Sequence, residues 1–193
     1  MEDASQRLRI VIADDEPITK MDLNEMLTET GYEVVGEAAD GFDAVECCRI
    51  HHPDLVILDI KMPYLDGLSA AKIINSESLA DTIMILTAYD DKEFVERAKE
   101  NGVSGYLVKP IEEKSIVPSI ELVVSCSKEI HRLKKEIEKA NERLENRVIV
   151  EKAKGRIMQQ QNMNEQEAYE YIRKLSQLKH LSMKRVSELI LVQ

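Results

Sequence analysis

Four short stretches of this chain place groups with chemical potential at separate intervals: Asp14, Asp15 and Glu16, then Asp59, then Thr87, then Lys109. Carboxylates gathered in one crevice repel one another, so they coexist only with a hard cation, a proton or a nearby ammonium such as that of Lys109. Oxygen donors around an open, water-rich site suit Mg2+, which keeps several of its waters. Each residue taken singly has a plainer reading, because aspartates after strands cap the following helix and a Lys-Pro pair marks a turn. The order acid pair, acid, hydroxyl, lysine is what raises the set above its members.

Elements that could bring them together are legible around them. Arg9 to Ala13, Tyr32 to Ala38, Leu55 to Leu58, Ile83 to Leu86 and Gly105 to Val108 read as strands. Amphipathic stretches near Lys20 to Glu29, Phe42 to Ile50, Leu68 to Ile74 and Lys92 to Asn101 read as the helices between them. Uninterrupted apolar runs such as LVIL and IMIL fit a parallel sheet buried on both faces, hence a doubly wound α/β domain. In such sheets ligands bind beyond the carboxyl ends of the strands, where strand order reverses, and the six residues all follow strand ends.

The segments IVIADDEP, LVILDIKMPYLDG, MILTAYD and GYLVKP resemble the receiver domain of two-component response regulators, over about residues 8–124. The resemblance implies a flavodoxin-like, five-stranded parallel sheet. It implies that Asp59 accepts a phosphoryl group from a sensor histidine kinase, and that Asp14, Asp15, Asp59 and the carbonyl of Lys61 hold Mg2+. It further implies that Thr87 moves toward the phosphoryl group with Tyr106 following it inward, and that a cis bond before Pro110 aims Lys109 at the site. On these terms the chain is a phosphoacceptor and regulatory protein rather than an enzyme.

Charge divides the chain. The whole carries 26 Lys+Arg against 36 Asp+Glu, net −10, but residues 1–124 hold 11 basic and 26 acidic side chains and residues 125–193 hold 15 and 10. The acidic part would be repelled by nucleic acid, whereas the basic part can carry phosphate contacts. No apolar run reaches the roughly 20 residues needed to span a bilayer, and no signal peptide is evident, so a cytoplasmic protein with no membrane partner is expected. Cys47, Cys48 and Cys126 form no metal-ligand spacing, and reduced thiols are the simplest account.

After Pro110 no glycine occurs until Gly155, and the pattern predicts a long helix with Pro118 in its first turn or kinking it. Ile116, Val123, Ile130, Ile137 and Leu144 recur every seven residues, with Cys126, Leu133 and Ala140 three later. Ile130, Leu133, Ile137, Ala140 and Leu144 therefore form a seam for a parallel pair of helices, a homodimer that phosphorylated receivers would favour. A single helix folded back on the rest of the chain is the alternative. The expected division is 1–124 for the receiver, 125–146 for the coiled-coil connector and 147–193 for the output module.

The output module reads as three helices, about Arg147 to Gln160, Glu165 to Lys179 and Met183 to Leu191, with an Asn164–Glu167 capping box and Ser182 capping the last. Its expected core is Val148, Ala153, Ile157 and Met158, then Ala168, Ile172, Leu175 and Leu178, then Val186, Leu189 and Ile190. Lys152, Lys154, Arg156, Arg173, Lys174, Lys179, Lys184 and Arg185, with Tyr169 among them, form a candidate RNA surface, since a ring stacks on unpaired bases while cations reach phosphates. Tyr171 falls on the apolar stripe. Gly155, costly inside a helix, implies close packing or close approach of RNA.

AKGRIM, EAYEYIRKLS and MKRVSELIL resemble the ANTAR domain, a small all-α RNA-binding antitermination module, and the order receiver, coil, ANTAR resembles the ethanolamine-utilisation antiterminator regulators. The resemblance implies binding of leader mRNA with two hairpins by a homodimer, preventing transcription termination, with no specific DNA expected. Two other readings stand beside it. One is a DNA-binding transcription factor whose last helix enters the major groove; the other is a signalling protein that acts by docking alone.

Overall fold

The computed structural model describes residues 7–88 and 101–192, apart from the side chain of Glu113. Residues 92–100, where a helix was expected, lie outside these. The described residues form two compact units, 1–130 and 131–193.

In the first unit β1 (Arg9–Ala13), β2 (Glu33–Ala38), β3 (Leu55–Asp59), β4 (Thr82–Thr87) and β5 (Gly105–Val108) make one sheet in the order β2-β1-β3-β4-β5. All four pairings are parallel. β1 is the first strand in sequence yet lies inside the sheet, so the direction of winding reverses between β1 and β3.

Alternate residues feed opposite faces, as the pleat requires. Val11, Ala13, Val56, Leu58, Ile83 and Ile85 point into one core with Ala44, Cys48, Leu68 and Ile74 from α2 (Gly41–His51) and α3 (Gly67–Ser76). Ile10, Ile12, Leu55, Ile57, Met84 and Leu86 point into the other. There they meet Leu23 and Leu27 of α1 (Pro17–Glu29) and Ile116, Ile120 and Val124 of α4 (Glu113–Gln161). Two buried faces explain why the strands read as unbroken apolar runs.

The first three helices start earlier than expected. α1 begins at Pro17, because a proline at the first helical position lacks only a donor that the helix would leave unpaired. α2 and α3 begin at glycines behind capping aspartates: Asp40 accepts from the Asp43 amide, and Asp66 from the Ser69 amide. Pro118 sits inside α4, beyond its first turn. α4 is 49 residues long, so connector and first output helix are one uninterrupted element rather than two.

In the second unit α4 is followed by α5 (Glu165–Lys179) and α6 (Met183–Val192). Asn164 and Glu167 form the expected capping box, and Ser182 Oγ accepts from the Arg185 amide at 3.2 Å. The core is Ala153, Ile157, Ala168, Ile172 and Val186, with Val150, Tyr171, Leu175 and Ile190 packed around it. Val148, Met158, Leu178 and Leu189, expected in that core, are exposed instead. The end of α4 with α5 and α6 buries only one narrow stripe of each helix, so the wider apolar faces have no opposite wall.

Candidate functional site

The end of β1 carries Asp14, which is buried, and the exposed Asp15. Asp14 accepts from the Glu16 amide at 2.9 Å, which turns the chain into α1. Next to it β3 ends in Asp59, 7% exposed. Lys109, after β5, donates across the sheet edge: its Nζ stands 2.7 Å from Asp14 Oδ2 and 2.6 Å from Asp59 Oδ1. The second oxygen of Asp59 accepts from the Lys61 amide at 2.6 Å.

Backbone links hold this arrangement. The Lys109 amide donates to Thr87 O at 2.8 Å, tying β5 to the end of β4, and the Lys109–Pro110 bond is cis, as the resemblance implied. Thr87 is buried, while Tyr106, opposite Ile85 in the β4–β5 register, is half exposed. Asp15, Glu16, Asp59, Ile60, Lys61, Thr87, Ala88 and Lys109 line an open crevice of about 300 Å³. The residues predicted for the acidic site thus converge on one end of the sheet.

Burial pushes the Asp59 carboxyl above its ordinary range, and Asp14 adds to the rise; the hydrogen bond and charge of Lys109 and the Lys61 amide work the other way without cancelling it. Burial works to lower the Lys109 ammonium, but its bonds to Asp14 and Asp59 prevail and its pKa is raised. One ammonium is shared by two carboxylates, with Asp15 beside them, so the crevice keeps an unbalanced negative charge.

That donor set fits a hard divalent cation. No three His, Cys, Asp or Glu side chains among the described residues converge into a closed metal cage. Mg2+ does not call for one, since it binds through one or two carboxylates and retains waters and substrate oxygens. Asp14, Asp15, Asp59 and the Lys61 carbonyl are the groups that would hold it.

The basic residues of the second unit separate into two sets. Lys152, Tyr169, Arg173, Lys174, Lys179 and Arg185 are exposed, and Lys184 is half-buried. Lys154 and Arg156, also expected on the RNA surface, bond within the module. Lys154, with its side chain 8% exposed, donates to Glu151 at 2.8 Å and Glu165 at 2.7 Å, fastening α4 to the start of α5. Those bonds raise its pKa and lower that of Glu165. Arg156 Nη1 donates to Leu191 O at 2.7 Å, satisfying a carbonyl at the end of α6 that has no partner within its helix. Reading Lys154 against Glu151 at i−3 would have revealed one of these bonds; the one to Glu165 and that from Arg156 depend on how the helices fold together.

Ile130, Leu133, Ile137, Ala140 and Leu144 are all exposed. The earlier members of the heptad pattern, Ile116 and Val123, instead face the sheet core. Gly155 has nothing within 4 Å of where a Cβ would stand, so packing within the chain does not account for it.

Comparison with known proteins bears on the whole chain. Residues 10–121 match the response regulator receiver domain, and residues 138–191 match the ANTAR domain. Transcriptional regulatory protein PdtaR of Mycobacterium tuberculosis is 46% identical over 189 residues, 98% of this chain and 92% of its own length. The solved receiver domain of NarL from M. tuberculosis superposes with a TM-score of 0.58 at 32% identity, covering 64% of this chain and 98% of that one. A CheX–CheY–BeF3–Mg+2 complex from Borrelia burgdorferi gives 0.57 at 27% identity, covering 60% and 88%. With a receiver sheet, its acidic crevice and a helical ANTAR module in one chain, the protein belongs to the response regulators that carry an ANTAR output domain.

Proposed function

We propose that this protein is a phosphorylation-switched RNA-binding antiterminator. Residues 1–124 receive the signal, 125–146 connect, and 147–193 bind RNA. The reading is carried by one observation, the Lys109 ammonium bridging Asp14 and Asp59 at the carboxyl end of the sheet. A sensor histidine kinase supplies the phosphoryl group, Asp59 Oδ attacks the phosphorus, and the kinase's histidine leaves. Lys109, already at hydrogen-bond distance, releases one carboxylate to meet the new phosphoryl oxygens. Mg2+, when bound, offsets charge on the transferring group. Thr87, buried at the end of β4, would move its hydroxyl toward the added charge, and the half-exposed Tyr106 would turn inward with it.

The exposed Ile130, Leu133, Ile137, Ala140 and Leu144 then pair two chains in parallel. Tyr169, Arg173, Lys174, Lys179, Lys184, Arg185 and Lys152 supply ring and cation contacts to two hairpins of a leader mRNA, so that the terminator does not form. The finer reading, that the controlled genes are of an ethanolamine-utilisation type, rests on domain order alone. The relative that spans nearly the whole chain is named only as a transcriptional regulatory protein.

The test is filter binding of the whole protein to a two-hairpin leader RNA and to duplex DNA of the same sequence, with and without beryllofluoride and Mg2+. Tighter RNA binding on addition of the phosphoryl mimic, lost in Asp59→Ala, supports the reading. Equal affinity for RNA and DNA points instead to a DNA-binding factor, and no binding to either at any salt concentration points to a docking protein.

A further inference from the structure

The outward side of α4 changes character along its length. Ile137, Leu144 and Val148 are exposed aliphatics at steps of seven and four residues. Steps of four, three and four then lead to Lys152, Gly155 and Gln159, all exposed. These steps stay close to whole turns of about 3.6 residues, so the positions share one side of the helix. The buried Ala153 and Ile157 lie on the opposite side, in the core made with α5 and α6. Where that core begins, the aliphatic line therefore gives way to a cation, a bare stretch of backbone and a carboxamide.

Three features of this stretch suit a polar, anionic ligand. Glycine is among the poorest helix formers, yet a Cβ at Gly155 would meet no atom within 4 Å. A poor helix former at an open position fits a group from outside the chain lying against the backbone there. Arg147 and Lys152 are exposed cations, while the carboxylate of Glu151, at the edge of this side, is taken up by Lys154 Nζ at 2.8 and 2.9 Å. Gln159 stands in the last turn of α4, where carbonyls without helical partners carry partial negative charge. That end repels phosphates and suits the amino groups of bases, whereas Lys152, about 10 Å away along the axis, suits a phosphate.

Resting on the RNA-binding reading above, we infer that the outward side of α4 around Gly155 receives an unpaired loop nucleotide of a hairpin. Its sugar and base lie on the bare backbone at Gly155, the carboxamide of Gln159 bonds an edge of the base, and Lys152 meets the adjoining phosphate. A carboxamide sets a donor beside an acceptor, the pattern that matches adenine. Met158, exposed next to this side, adds a polarizable apolar wall. A second copy of the helix would instead set Arg147 and Lys152 against like charges, which RNA neutralises. The basic residues of α5 and α6 then hold the hairpin's backbone, and preference for loop sequence comes from α4.

Filter binding and sedimentation of the full chain, with beryllofluoride and Mg2+, test this against a two-hairpin leader RNA and a copy whose loop bases are all uridine. Gly155→Ala should raise the thermal midpoint by about 2–4 °C, because alanine suits an exposed helix position, and yet weaken RNA binding. Gly155→Leu should weaken it by about tenfold or more with self-association unchanged. Gln159→Ala should erase a preference of about tenfold for the leader over the uridine copy, and Lys152→Ala should lower the salt slope by about one. Full RNA affinity in Gly155→Leu overturns the inference. So does weaker self-association in that variant with RNA binding intact, which would give this side of α4 to a second copy. In both cases the RNA reading stands if Arg173→Ala still weakens binding; failure of the unaltered chain to bind either RNA sinks that reading and this inference together.

Discussion

A Cβ added to Gly67 would overlap the carbonyl oxygen of Asp59. The first residue of α3 is thus pressed against the end of β3, and the Gly67 amide donates to Ile60 O at 3.0 Å. Replacing Gly67 by alanine should force that backbone apart at a cost of about 1–3 kcal/mol. For a chain of this size that lowers the thermal midpoint by about 2–4 °C per kcal/mol. It should also displace Asp59 and slow labelling by acetyl phosphate, measured beside the melt. An unchanged melt would show that the loop has slack.

Asp59 has a folded-state pKa above its ordinary value, chiefly through burial. The folded chain therefore holds this proton more tightly than the unfolded chain. Ionisation begins to cost stability as pH rises past the unfolded value, and the full cost is present above the folded one. Asp59→Asn should accordingly raise the metal-free thermal midpoint at neutral pH, by about 2–4 °C for each kcal/mol relieved. The gain should vanish at pH below the ordinary carboxylate range. Phosphoryl transfer should be abolished in the same variant; label retained there would refute Asp59 as the acceptor.

Lys154 and Arg173 should part company. Lys154→Ala leaves Glu151 and Glu165 without their shared cation, and should lower the thermal midpoint by about 2–6 °C. The effect should fade in acid, because Glu165, whose pKa is depressed by Lys154, contributes above the ordinary carboxylate value and loses its contribution as pH falls through its folded one. Arg173→Ala, at an exposed site, should change the midpoint by no more than about 1–2 °C. It should reduce the slope of log K against log salt for RNA by about one. Melting curves and salt titrations of both variants decide the matter.

The three thiols should differ in reactivity. Cys126 is exposed, Cys47 is partly buried, and Cys48 is fully buried with its pKa pushed up to about 12 by that burial. At pH 8 only roughly one part in ten thousand of Cys48 would be thiolate. Iodoacetamide followed by mass spectrometry should therefore find Cys126 modified first, Cys47 more slowly, its pKa also raised by burial and by Asp43 and Glu46, and Cys48 only after unfolding. Early labelling of Cys48 would mean that α2 does not pack as described.

The receiver was readable because its chemistry lies at strand ends. LVIL and IMIL announce strands buried on both faces, and Asp59 and Thr87 follow them directly, so element and site are marked by the same residues. Helix starts were harder: Pro17 and Gly41 look like breakers in isolation, yet both suit a first helical position behind Glu16 and Asp40. In the output module, periodicity named the last two helices correctly but misassigned Val148, Met158, Leu178 and Leu189, because an apolar face does not say whether anything lies opposite it.

Read as a string, this chain already determined its parallel sheet, its acidic crevice and the divided charge, since these depend on residue type and on the period of strand or helix. Only the tertiary structure decided that Lys109 shares its proton donors between Asp14 and Asp59, that Lys154 and Arg156 are committed to neighbouring helices, and that the line through Gly155 faces outward. Those outcomes depend on distances between residues far apart in sequence, which close packing sets and local pattern does not encode.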